Sequence, residues 1–200
     1  VRACPFTAVM DRSQMVDVLT RLGRVEMNAL LAPAIAGQFD SEIEQISAAA
    51  RKMGFDRIIE VASGADAVAE HESGEFRERM SAAEPFMTTS CCYAYTETVR
   101  KHIPELKRFV AKTGTPLAMT AARARREHPS ALNVFIGPCI AKKQEGMDND
   151  DVDYVLTFEE FATMLEAYGI DLKDLAGEKA DLEGGALGRG FPVTGGLYKA

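Results

Sequence analysis

A chain of 200 residues, 46% of them hydrophobic, has room for one sizeable core or two small lobes sharing an interface. A net charge of −7 argues against nucleic acid or an anionic membrane surface as the main partner, and no apolar run approaches the ~20 residues that span a bilayer. Four cysteines are too few for a disulfide scaffold, so the thiols read as reduced, in a cytoplasmic protein, and as either inert core or metal ligands.

The opening stretch VRACPFTAVMDR lacks the basic flank and long apolar core of a signal peptide. It also lacks an initiating Met, so the chain is expected to be cut from something longer. LLAPAI (Leu30–Ile35) reads as a strand-like run punctuated by Pro33. A helix follows, with Ser41 and Glu44 as a capping box, Ile43, Ile46, Ala50 and Met53 on one face, and Gly54 at its end. RIIEVA (Arg57–Ala62) reads as a buried strand and residues 64–80 as helix. PFMTT (Pro85–Thr89) is predicted as the next strand, with a helix starting near Cys92. Pro116 opens a helix to His128, and ALNVFIGP (Ala131–Pro138) is a β-branched and aromatic strand stopped by Gly-Pro. VDYVLT (Val152–Thr157) is another strand. Thr157 and Glu160 then cap a helix whose Phe161, Met164, Leu165 and Tyr168 share a face before Gly169. Beyond residue 171 the pattern weakens, and EGGALGRGFPVTGG reads as Gly-rich loop.

Strands alternating with helices every ~30 residues indicate an α/β fold of mainly parallel sheet flanked by helices. A break near 110–130, with Gly114, Pro116 and a basic stretch, separates two expected lobes.

The cysteines fall at particular places in this pattern. Cys91 and Cys92, in TTSCCYAY, follow a predicted strand and open a helix, and Cys139 follows ALNVFIGP and opens IAKKQE. Ligands of parallel α/β sheets gather at the carboxyl ends of strands, and a helix N-terminus favours the thiolate, the form that binds iron. Inert core cysteines have no reason to occupy two such junctions. Lys142 stands one helical turn after Cys139, where a cation would hold anionic ligands near the thiolate; taken alone it reads as an ordinary surface lysine, like Lys143 beside it.

These residues resemble a known family. TTSCC and GPCIAKKQE are similar, in order and in spacing, to the first two of three signature motifs of the iron–iron (FeFe) hydrogenase catalytic domain. FPVTGG (Phe191–Gly196) resembles the segment preceding the third motif, which this chain does not contain. ACPFTAVMDRSQMVDVL resembles the tail of a bacterial ferredoxin domain, with Cys4 as the last ligand of a 4Fe-4S cluster. The resemblance implies residues 1–24 as that tail and a linker, 25–130 as a first lobe, and 131–200 as part of a second lobe, with the active site in the cleft between the lobes. It implies an H-cluster, a 4Fe-4S cubane joined to a di-iron unit bearing CO and cyanide, together with accessory 4Fe-4S clusters in the intact parent. The implied reaction is reversible H2 oxidation and proton reduction.

Carried over by position, Cys92 and Cys139 would ligate the cubane and Cys91 would pass protons. Lys142 would hydrogen-bond a cyanide, and Glu145 is the matching acid of that motif. Glu72 and Glu75 match two carboxylates of a proton path. The implied partners are H2 and protons, a ferredoxin-like electron carrier and hydrogenase maturation proteins, with no nucleic acid and no membrane insertion. The sequence departs from the family at Tyr93 and Tyr95, where Pro and Trp are common, at Gly137, where Met is, and at Ala111, where a path serine is expected. These departures suggest a slower or sensing branch. The alternative is a non-hydrogenase iron–sulfur protein of the same fold, related to cluster-assembly factors; a thiol redox module using Cys91 and Cys92 is a third, blander and least favoured reading. With two cubane ligands, the chain as it stands is expected to bind no H-cluster and to be inactive, with its tail from Glu183 loosely held.

Overall fold

The computed structural model describes residues 5–6 and 11–199. Four short runs, apolar apart from a few polar side chains and buried on both faces, make the strands: β1 (Met27–Leu31), β2 (Arg57–Glu60), β3 (Leu132–Gly137) and β4 (Tyr154–Thr157). All pair in parallel, in the order β2-β1-β3-β4. A parallel sheet must be covered on both faces, which is why these runs show little polar alternation. The helices α1 (Met15–Leu19), α2 (Ile43–Met53), α3 (Ala62–Ser81), α4 (Tyr93–His102), α5 (Pro116–Glu127), α6 (Ala141–Met147) and α7 (Phe158–Ala167) follow in chain order, with short α8 (Ala186–Gly190) and α9 (Gly196–Lys199) near the end.

The expected α/β class with parallel sheet is what the structure shows. Strands from both sides of residue 130 enter one sheet, because β3 lies beside β1 in register from Met27↔Leu132 to Leu31↔Ile136. Within that register Asn28 donates from Nδ2 to Asn133 Oδ1 at 2.8 Å, both side chains being fully buried. A polar pair at one position of two apolar strands penalises a slipped alignment. The core gathers Leu30, Leu31, Ile58, Val134 and Ile136 from the sheet with Ile46, Leu117, Phe161 and Met164 from the helices. Helices α3 and α5 approach so closely that a Cβ at Gly64 would collide with Thr120 Oγ1 and Pro116 O.

Several local expectations are corrected. The run at Leu30–Ile35 is strand only to Leu31; Pro33–Ile35 is a 3-10 turn, because proline cannot continue the ladder. Pro85–Thr89 is not a strand. It makes one bridge, Thr88 to Val110, with Thr88 N–H on Phe109 O and Ala111 N–H on Thr88 O, both at 2.8 Å. The cap of α2 lies one residue later than expected: Gln45 Oε1 accepts from Glu42 N–H at 3.0 Å, and Gly54 ends the helix with φ +113°. The cap Thr157–Glu160 is as expected, and Phe161, Met164 and Leu165 are buried, but Tyr168 is exposed.

The tail is held rather than loose. Buried Glu60 takes both Arg189 Nε and Nη2, at 2.8 and 2.7 Å, and Asp66 accepts from Gly185 and Gly188 N–H. A side chain at Gly188 would run into Ala62 O, so glycine permits the docking.

Candidate active site

In the order β2-β1-β3-β4 the chain turns one way from β1 to β2 and the other way from β3 to β4, so the crevice outside the carboxyl ends of β1 and β3 is the switch point where α/β ligands collect. A cavity of ≈ 220 Å³ lies there. Ala32, Pro33 and Ala34 after β1, Val61 after β2, and Pro138, Cys139 and Lys142 after β3 form its walls, with Cys91 and Phe191 closing it. The wall is mostly apolar, and Lys142 is its one cationic side chain.

Cys139 is exposed and its carbonyl accepts from Lys142 N–H at 3.0 Å, which starts the first turn before α6. Cys92 is the exposed N-cap of α4, and α4 packs on α6, the helix that follows Cys139. Exposure of both thiols excludes an inert core role for them. Cys91 is half-buried, and its Sγ lies 3.4 Å from Thr89 Oγ1. Burial pushes the Cys91 thiol above its ordinary pKa, the Thr89 contact and Lys142 work against that, and the charges of Glu72 and Cys92 add to it. The expectation that a helix start favours the thiolate therefore fails at Cys91, which is held as a thiol.

Lys142 is not a surface lysine. Its side chain is 14% exposed and its Nζ meets Glu145 Oε2 at 2.5 Å. Glu145, buried, also accepts from the hydroxyl of Thr115, the N-cap of α5, which in turn accepts from Ala118 N–H at 3.1 Å. Helix α5 thus fixes Glu145, and Glu145 aims Lys142. Lys143 is no surface lysine either. It is buried and bonds Asp11 at 2.8 Å and Glu160 at 2.9 Å. Burial opposes its charge, but those two hydrogen bonds outweigh burial and raise its pKa.

Glu72 on α3 is buried and accepts at Oε1 from both Ser90 N–H and Ser90 Oγ, each at 2.9 Å, directly before the cysteine pair. Glu75, one turn on, is engaged at both oxygens: Arg79 Nη2 at 2.5 Å and Lys112 N–H at 2.9 Å. Ala111, next in the chain to Lys112, is buried. Cys4 lies outside the described residues.

The structure thus brings Cys91, Cys139 and Lys142 to one cavity, with Glu145 behind Lys142 and Glu72 behind Cys91, while Cys92, next in the chain to Cys91, is exposed outside the cavity's lining. Sequence reading missed Ser90, Thr115 and Arg79. Thr115 carried a signal, since Thr-Pro at a helix start is a cap, but the partners of Ser90 and Arg79 are distant in sequence. Gly137 also has a steric reason, because a side chain there would strike the Phe135 ring.

The donor set fits an iron–sulfur group on chemical grounds: exposed thiols before two helices that pack together, one of them on the wall of an apolar cavity with one ammonium. Among the described residues no three potential ligands cluster, so these thiols would form part of a ligand set. No helix of the described residues is long and apolar enough to cross a membrane.

The chain is similar to known proteins. Over 98% of its length it is 29% identical to iron hydrogenase 1 of Clostridium pasteurianum, of which it covers 39%. Over 89% it is 30% identical to the periplasmic [Fe] hydrogenase large subunit of Nitratidesulfovibrio vulgaris, of which it covers 49%. It spans less than half the length of both relatives. Its fold matches a structure of apo [FeFe]-hydrogenase HydA1 from Chlamydomonas reinhardtii with a TM-score of 0.76 at 25% identity, covering 88% of this chain and 54% of that one. The model of the iron-only hydrogenase large subunit, C-terminal domain, matches residues 25–200, and with the thiols and the lysine gathered at the sheet's switch point the chain belongs to that family.

Proposed function

We propose that this chain supplies part of the H-cluster site of an FeFe hydrogenase, whose intact form interconverts H2 with protons and electrons. The observation that supports this most is Cys91, Cys139 and Lys142 lining one apolar cavity at the carboxyl ends of β1 and β3. Cys92 and Cys139 are the proposed cubane ligands. The bound group, when present, supplies the redox centre at which hydrogen is made or split. Lys142, aimed by Glu145 and Thr115, offers a fixed ammonium to anionic ligands in a cavity of mostly apolar lining, where a hydrogen bond to a charged group is strong. Cys91, kept protonated by burial, holds a proton at the cavity wall, and Glu72 behind it is the next proton acceptor. Without a di-iron unit, the non-hydrogenase alternative leaves Lys142 only its ion pair with Glu145.

The same reading makes residues 1–24 the end of a ferredoxin-like domain and linker, with Cys4 as a cluster ligand. It places the parent in the cytoplasm, served by a ferredoxin-like carrier and by maturation proteins; cell fractionation tests the location, since one relative is periplasmic. The decisive experiment is hydrogen evolution by the intact parent after cluster assembly. Turnover is expected, reduced ~10²- to 10⁴-fold by Cys91→Ala with iron retained. A parent with full iron and no turnover would support the sensing or assembly-related reading instead.

A further inference from the structure

The hydrogen bonds around Glu72 do not continue to Glu75. Both oxygens of Glu75 are taken by donors, Arg79 and the Lys112 N–H. Arg79, itself buried, also bonds the carbonyls of Arg108 and Val110, at 2.9 and 3.1 Å, so Glu75 and Arg79 act as a strut between α3 and the 108–112 segment. Ala111, the neighbour of Lys112 in the chain, has no hydroxyl to offer either acid.

Ser90 offers another way out. Its single hydroxyl hydrogen faces two acceptors, Glu72 Oε1 and the Thr113 carbonyl. When Glu72 is ionised, Ser90 donates to it. When Glu72 carries a proton, Glu72 donates to Ser90 Oγ and Ser90 turns its hydrogen to Thr113 O. Both states are fully bonded, so the hydroxyl changes direction with the charge on Glu72. Beyond Ser90 lies a second cavity, of ≈ 420 Å³, lined by Ser90, Thr96, Glu97, Ala111 and Thr113. It is polar enough and large enough to hold water.

We propose that protons pass between Glu72 and solvent through Ser90 Oγ and the water of this second cavity, and that Glu75 is a structural strut off the route. Resting on the hydrogenase reading, this names the solvent end of its proton supply. In the inward step a cavity water gives a proton to Ser90 Oγ while Ser90 gives its own to Glu72. One O–H bond breaks and one forms at Ser90, no electron moves, and the water regains its proton from bulk. The outward step is the reverse.

The test uses the intact parent with its cluster assembled, in the variants Ser90→Ala, Ser90→Thr, Thr96→Phe and Glu75→Gln. Turnover should fall ~10²-fold in Ser90→Ala and recover in Ser90→Thr, the loss expected of a missing proton-transfer group. Thr96→Phe, which fills the second cavity, should also slow turnover, and Glu75→Gln should cost at least ~10-fold less than Ser90→Ala. The second readout needs no cluster: the infrared carboxyl band of protonated Glu72, identified by its loss in Glu72→Gln, should shift in Ser90→Ala and return in Ser90→Thr. An unshifted band, a Ser90→Ala enzyme as fast as the unaltered one, or a Glu75→Gln loss equal to that of Ser90→Ala would each overturn the route. An unaltered, iron-loaded parent without turnover would instead remove the hydrogenase reading, and the route with it, whatever the band does.

Discussion

The two cysteine-bearing turns reach the same cavity by different physics. The Cys139 turn is the direct continuation of β3, a central strand whose Val134 and Ile136 are fully buried and whose register with β1 is set along five positions. Its place is fixed by the hydrophobic core. The Cys91–Cys92 turn follows a segment with one bridge, Thr88 to Val110, and is fixed by side chains: Glu72 on Ser90, Tyr95 Oη on Thr88 Oγ1 at 2.8 Å, Thr89 on Cys91, and Tyr93 on Asp148. A core-anchored turn resists local change and fails only with the whole fold. A turn hung on polar contacts can be loosened alone.

That difference sets the size and reach of mutational effects. Ile136→Ala should act on everything, costing about 2–5 kcal/mol through lost burial and a cavity in the sheet, read as a lower denaturant midpoint of the whole transition. Glu72→Ala should cost about 1–3 kcal/mol, because it strands a buried Ser90 N–H. Its increase in hydrogen exchange should stay near residues 88–92, and a rise spread over β1 and β3 would contradict the distinction.

Lys143→Met tests the wall behind Cys139, where α6 is pinned to Glu160 of α7. It should cost about 1–2 kcal/mol, since Asp11 and Glu160 keep some access to water. The Lys143 pKa is raised above its ordinary 10.5, so its contribution is full below that value and fades as pH rises through the higher folded value. The stability gap between the unaltered chain and Lys143→Met should therefore narrow only above pH 10.5. The smallest effect belongs to Tyr93→Phe. Its bond to Asp148, with burial adding to it, pushes the Tyr93 phenol up to about 12 from 10, so one tyrosine should ionise late in an absorbance titration and vanish from it in the variant. The bond's contribution is present below pH 10 and lost as pH climbs through about 12.

The same division explains what could be read from the residues alone. Strands β2, β3 and β4, the helix from Pro116 and the Thr157–Glu160 cap follow from apolar runs and local capping chemistry, which are sequence-near. The strand–helix junctions singled out Cys91, Cys92 and Cys139, and the resemblance carried the family. Pro85–Thr89 failed because a short β-branched run is also what an extended segment held by one bridge looks like. The docked tail failed because its anchors, Glu60 and Asp66, lie more than a hundred residues upstream of Arg189 and Gly185. Ser90 escaped for the same reason: Glu72 gives it meaning, and only folding brings the two together.

The proposed function needs neighbouring thiols with different work: the exposed Cys92 is proposed to bind iron and the half-buried Cys91 to carry a proton. Iron content of the intact parent after cluster assembly, measured side by side for Cys91→Ala and Cys92→Ala, tests this most directly. Cys91→Ala should keep the iron of the unaltered protein and Cys92→Ala should lose the site's share of it. Equal loss in both, or retention by Cys92→Ala alone, would contradict the assignment.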